Sequence, residues 1–141
     1  MPNKKGFTLI ELLIVVVVMA ILMGVGAFTY ASAQEKGRDS RRKQDLEAIK
    51  TALELARQDA GGFYPNGLAT LAPTYIKIVP LDPKTSASYA YTPQPTDCTN
   101  ACTGYFLQAT LENANDQGIE PSQTTCPGAP DTAKYVVCPT K

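Results

Sequence analysis

From Leu12 to Phe28 the chain reads LLIVVVVMAILMGVGAF, seventeen residues without a charge or a strongly polar group. No other feature constrains the fold as much. A helix that is apolar on every side has no face to offer water, so it must lie in lipid or against other such helices. With Phe7, Leu9 and Ile10 ahead of it, the run approaches the ~20 residues that a helix needs to cross a bilayer. A cleaved secretory signal is the first rival, because Lys4 and Lys5 precede the run and Ala31-Ser32-Ala33 follows it with small residues. The run is long for the apolar core of such a signal, and Glu11 stands near its start.

Glu11 is the misfit. A carboxylate in or beside hydrocarbon is costly unless it is paired or near the interface. One reading places it at the start of the helix, where the helix dipole favours negative charge. A sharper reading leaves it unpaired in the monomer until assembly brings a cation. The flanking charges conflict over orientation. Lys4 and Lys5 favour an N-terminus in the cytoplasm, while Lys36, Arg38, Arg41, Arg42 and Lys43 crowd the other side. The cysteines argue for a C-terminal region outside the cytoplasm, against the charge count.

Those cysteines, Cys98, Cys102, Cys126 and Cys138, all lie in the last third of the 141 residues. An even number in a small domain behind an apolar segment reads as a disulfide framework in an oxidising compartment. The alternatives are free thiols or a zinc site. The spacings C-x3-C and C-x11-C are loose for zinc, and the chain has no His. The lack of His also removes the commonest general base. No nucleophile–base pair, phosphate cradle or acid/base constellation appears, so the chain reads as no enzyme. Lys plus Arg equal Asp plus Glu at 13 each, so net charge by itself points to neither nucleic acid nor a basic partner, and beyond Gly61 six acidic residues against four basic ones make a mildly acidic surface.

From Gln34 to Gln58 the composition turns polar but helical periodicity persists. Leu46, Ile49, Leu53 and Ala56 recur at intervals of three and four and make one apolar stripe. Arg41 with Asp45, and Lys43 with Glu47, stand at i,i+4. Gly61-Gly62 and Pro65 supply the stop. The spacing predicts one helix from about Phe7 to about Asp59, with Gly24, Gly26 and Gly37 as points of close contact or loosening. At 1.5 Å per residue it would be about 80 Å long. Arg41-Arg42-Lys43 alternates with Asp39, Asp45 and Glu47. It reads as a solvated face or a subunit-to-subunit salt-bridge surface, not as a nucleic-acid contact.

After Gly61 a proline-rich connection carries Phe63, Tyr64, Leu68, Leu71, Tyr75, Ile76 and Ile78, with a helical turn expected around Leu68–Leu71. Strands are expected at Ser88–Thr92, Tyr105–Leu111 and Tyr135–Cys138. Three short antiparallel strands on a helix bury a small core, which gives disulfides a purpose. Local closure favours Cys98 with Cys102 and Cys126 with Cys138, and crossed pairings stay open. Asn113, Asn115, Asp116 and Glu120 offer oxygens for calcium but lack the spacing of a calcium loop, so a solvated turn is the stronger reading and no cofactor is assigned.

The segment Lys5-Gly6-Phe7-Thr8-Leu9-Ile10-Glu11-Leu12-Leu13, with the apolar run behind it, resembles the start of type IV pilins and of the pseudopilins of type II secretion. Gly61-Gly62-Phe63-Tyr64-Pro65, Val79-Pro80-Leu81-Asp82-Pro83 and Tyr89-Ala90-Tyr91 resemble the same superfamily, especially its major pseudopilins. Two departures stand out. Lys84 holds the place where major pseudopilins usually have Trp, and a cysteine-bearing tail replaces their calcium loop. The resemblance implies an α+β fold of pilin type: a long, partly transmembrane N-terminal helix packed on a small antiparallel sheet. It implies a leader at 1–6, a membrane and filament-core half-helix at 7–30, an amphipathic half at 31–60 and a β domain at 61–141. A peptidase would cut after Gly6 and methylate Phe7. Glu11 would then pair with the freed amine of Phe7 in an adjacent subunit. The implied partners are copies of the chain and related pilins, the prepilin peptidase, an inner-membrane assembly platform with its ATPase, and lipid before assembly. The implied location is a single-pass inner-membrane precursor, then a pilus or a periplasmic or cell-surface filament. The leading function is a subunit of a type IV pilus-like filament for adhesion, motility or DNA uptake. The major pseudopilin of a type II secretion system is the alternative, and a non-polymerising membrane-anchored binding module is the alternative of another class.

Overall fold

The computed structural model describes residues 6–99 and 101–139, and the side chains of these apart from 25–29. Lys4 and Lys5, and the leader other than Gly6, lie outside the described residues, as do the surroundings of Gly26 and Phe28. The elements in chain order are helix α1 (Leu9–Asp59), a 3-10 turn (Leu68–Leu71), strand β1 (Ala90–Gln94), strand β2 (Gly104–Ala109), helix α2 (Ile119–Thr125) and strand β3 (Tyr135–Val137). The chain separates into two compact units, Met1–Glu35 and Lys36–Lys141, with the boundary inside α1.

In the first unit, α1 starts because Thr8 caps it. The Thr8 hydroxyl accepts the Glu11 N–H at 3.3 Å, and Leu12 N–H closes the first turn on the Thr8 carbonyl. A threonine before the helix and a glutamate three residues on form a capping-box sequence, which satisfies an amide that the first turn leaves orphaned. Glu11 thus has a local role at the helix start.

The transmembrane expectation for 7–30, and with it single-pass residence in the inner membrane, is overturned. Among the described residues no helix is long and apolar enough to cross a membrane.

The second unit is built on the C-terminal part of α1. Leu46, Ile49 and Leu53 have no exposed surface, and Ala52 and Ala56 are buried beside them. The stripe packs on Tyr89, Tyr105, Leu107, Ala109 and Val137 of the sheet region and on Tyr64 and Leu71 of the connection. The sheet is antiparallel in the order β1-β2-β3, with Tyr91 opposite Leu107 and Leu107 opposite Val137. Alternation along β2 sends Tyr105, Leu107 and Ala109 to one face. Pro93 is tolerated because β1 is an edge strand. Tyr105 lies between the rings of Tyr64 (4.9 Å, edge-on) and Tyr91 (5.8 Å, stacked).

Two differences from the sequence reading have physical causes. β1 starts two residues later than expected, because Asp82 N–H bonds to the Ala87 carbonyl and Ser86 N–H to that of Asp82, which holds the segment before it in a tight turn; β2 starts one residue earlier and ends two earlier than expected, in register with β1. The expected loop 113–134 contains α2, whose sequence IEPSQTT has little helix propensity. Pro121 sits in its first turn, where a missing N–H does no harm. Ser122, at its centre, receives the Val136 N–H of β3 on its hydroxyl.

Candidate functional site

The N-terminal segment presents backbone first. Gly6, Phe7 and Thr8 precede the helix without regular structure, and all three are exposed, Phe7 to 80%. A Cβ on Gly6 would meet no atom within 4 Å. Behind it Leu9, Ile10 and the large apolar residues from Leu12 to Met23 stand 48–83% exposed on every side of the helix, and small Ala20 is exposed among them. Glu11 is the one ionisable residue among them, and among the described residues its carboxylate forms no ion pair. The surface is an unbroken apolar cylinder with one carboxylate near its N-terminal end.

The second unit is closed by a polar clasp that sequence reasoning missed. Arg42 sits at its centre with 3% of its side chain exposed. Its guanidinium donates to Asp39 at 2.6 Å, to Asp82 at 2.6 and 3.2 Å, and to Glu112 at 2.9 Å. Glu112 also receives Arg38 in a forked pair at 2.6 and 2.8 Å, and Lys84 at 2.8 Å. Three cations therefore face three carboxylates. Asp39 further accepts the backbone N–H groups of Glu112 and Asn113, and Asp82 those of Lys84 and Thr85. The clasp ties both the turn after Pro80 and the chain after β2 to α1.

The electrostatics follow from this geometry. The hydrogen bond from Arg42 holds the Asp82 carboxyl well below the usual carboxylate range, and Arg38 with Lys84 does the same for Glu112. Lys43 lowers Asp116, which it meets at 2.5 Å. Burial, with a hydrogen bond to Glu54, pushes the Tyr64 phenol up to about 12.

The residues singled out from sequence fall into place unevenly. Cys98 is joined to Cys102 and Cys126 to Cys138. Arg41 pairs with Asp45 at 3.0 Å, but Lys43 reaches Asp116 instead of Glu47. The expectation of a solvated Arg41-Arg42-Lys43 face is corrected at Arg42, which is buried. Asp39, three residues before Arg42, was the available signal for an internal pair, but nothing in the sequence shows Asp82 and Glu112 converging on the same guanidinium. Asp116 is occupied by Lys43, and among the described residues no group of three His, Cys, Asp or Glu side chains could hold a metal ion.

Residues 1–27 match the family described as the prokaryotic N-terminal methylation motif. The chain is 30% identical over 98 residues to the type II secretion system core protein G of Escherichia coli (strain K12), a match covering 57% of this chain and 67% of that protein. The chain belongs to the type IV pilin and pseudopilin superfamily, a class of structural subunits and not of enzymes. It is 39% identical over 51 residues to the type IV major pilin protein PilA of Myxococcus xanthus (strain DK1622), covering 36% of this chain and 23% of that one. It is 36% identical over 62 residues to the prepilin peptidase-dependent protein D of Escherichia coli (strain K12), covering 44% and 42%. The chain thus spans less than half the length of these last two curated relatives. No solved structure matches.

Proposed function

We infer that this chain is cut after Gly6 and polymerises through the apolar part of α1 into a type IV pilus-like filament. The observation that carries this reading is the exposed apolar surface from Leu9 to Met23, interrupted by Glu11 alone. An apolar surface of that extent on all sides of a helix needs cover, and like helices from other copies provide it. The cut turns Phe7 into a terminal ammonium. A neighbouring copy then offers that cation to Glu11, in surroundings where apolar side chains exclude water and strengthen the pair. Gly6 suits the cut because it is exposed and carries no side chain to obstruct a peptidase. The partners are copies of the chain and its relatives, the peptidase, and an assembly platform with its ATPase.

A second reading has its own support: core protein G is matched over two-thirds of its length, which favours a short filament serving protein secretion. Replacing Glu11 with Ala while following cleavage and imaging filaments tests the assembly step. Cleaved chain without filaments is the expected result. Normal filaments from Glu11→Ala would overturn the pairing, and cleavage undisturbed by a bulky residue in place of Gly6 would overturn the cut. Restoring secretion, and not a surface pilus, to cells lacking the chain selects the second reading.

A further inference from the structure

Asn66-Gly67 is the one Asn-Gly step in the chain. It lies between Pro65 and the 3-10 turn, and Asn66 is exposed. Its neighbours are held. The Pro65 carbonyl accepts the Tyr91 hydroxyl at 2.5 Å, and the Gly67 carbonyl accepts the Thr70 hydroxyl at 2.8 Å. Between these anchors, among the described residues, neither the Asn66 amide side chain nor the Gly67 N–H has a hydrogen-bond partner. A Cβ at Gly67 would meet nothing within 4 Å, so the space beside that nitrogen is open.

The other described asparagines lack one or more of these conditions. The side-chain oxygen of Asn113 accepts the Asn115 N–H at 3.1 Å. After Asn115, the Asp116 nitrogen is engaged with the Asn113 carbonyl at 3.1 Å. Both are followed by residues with side chains, as are Asn3 and Asn100, which lie outside the described residues.

We propose that Asn66-Gly67 is a self-modification site in the folded protein. The Gly67 amide nitrogen attacks the side-chain carbonyl carbon of Asn66. A C–N bond forms, the bond from that carbon to the side-chain nitrogen breaks, and ammonia leaves with the proton from Gly67. Water then opens the five-membered imide at either carbonyl, giving aspartate or isoaspartate. No oxidant or reductant takes part. The product places a carboxylate at the edge of a cavity lined by Phe63, Tyr64 and Tyr75. Tyr64 already donates to the Glu54 carboxylate and lies under the Arg57 guanidinium, so the new charge enters beside an existing ion pair. The isoaspartyl form also lengthens the backbone by one carbon between the two anchored carbonyls. Accumulated product therefore marks the age of a subunit, and the isoaspartyl form is a substrate for enzymes that methylate isoaspartyl carboxylates.

The test is to incubate the folded full-length chain in neutral, phosphate-free buffer, digest it and follow each asparagine peptide by mass spectrometry. An exchange of NH for O confined to the Asn66 peptide, with isoaspartate detected there, is expected. Gly67→Ala should slow it at least several-fold. That variant should fold, because Gly67 has extended backbone (φ −162°) that any residue adopts and its Cβ site is empty. An Asn66 that stays intact in the folded chain while the urea-unfolded chain reacts would overturn the proposal. So would a Gly67→Ala chain that reacts as fast as the parent.

Discussion

Replacing Arg42 with Met separates a structural ion cluster from a decorative one. The side chain is almost wholly buried and makes four hydrogen bonds to three carboxylates. Removing one partner of a buried ion pair generally costs about 3–5 kcal/mol, because the other charge is left uncompensated in a poor dielectric. Here the stranded groups retain help. Glu112 keeps Arg38 and Lys84, Asp82 keeps two backbone N–H groups and the Thr85 hydroxyl, and Asp39 keeps two backbone N–H groups. Methionine also fills most of the vacated volume. The expected loss is therefore at the low end, about 3 kcal/mol at neutral pH, read from urea denaturation of the oxidised chain.

The pH dependence supplies a second measurement. Asp82 and Glu112 have folded-state pKa values below their unfolded ones. Their contribution is complete above the unfolded values near 4, and it drains away as pH falls from there through the folded values. The parent chain should lose stability steeply below about pH 4. Arg42→Met should lose less over the same window, so the two curves converge in acid. A neutral-pH loss under about 1 kcal/mol, or a gap that stays constant down to pH 2, would refute the account of Arg42 as the hub.

Three further outcomes are expected. Tyr105 buries its hydroxyl without a partner among the described residues, so Tyr105→Phe should leave stability unchanged or raise it by up to about 1 kcal/mol; a loss of that size in thermal unfolding would reveal a partner for the hydroxyl. By loop length, replacing Cys126 and Cys138 with Ser should cost about 3 kcal/mol and replacing Cys98 and Cys102 about 2; the reverse order in urea titrations would contradict that ranking. A Cβ at Gly118 would stand 2.9 Å from the Asp116 carboxylate and 3.1 Å from the Lys43 ammonium. Gly118→Ala should therefore break that pair for about 1 kcal/mol, and its effect should be smaller in a Lys43→Met background, where only the contact with Asp116 remains.

Much of this was legible along the chain, because periodicity is local information. The apolar stripe of α1, the helical turn at Leu68–Leu71 and the existence of three strands each followed from residues close in sequence. The capping box Thr8-x-x-Glu11 was equally readable, although the sequence placed Glu11 at the helix start through the helix dipole and not through a cap. The transmembrane reading went too far for another reason. Mean apolarity over a run says that a helix needs cover but not what covers it, and among the described residues no helix is long and apolar enough to cross a membrane.

By itself, then, the sequence determined a capped helix with an unrelieved apolar start, a stripe for a small sheet, and an amide next to a glycine. Only the tertiary structure decided that Arg42, which looks like a surface residue in a basic cluster, is the buried centre of a charge-balanced network. Its partners Asp82 and Glu112 are 40 and 70 residues away. Charge on a helix says nothing of its surroundings until the chain returns, and burial then makes each group depend on all the others.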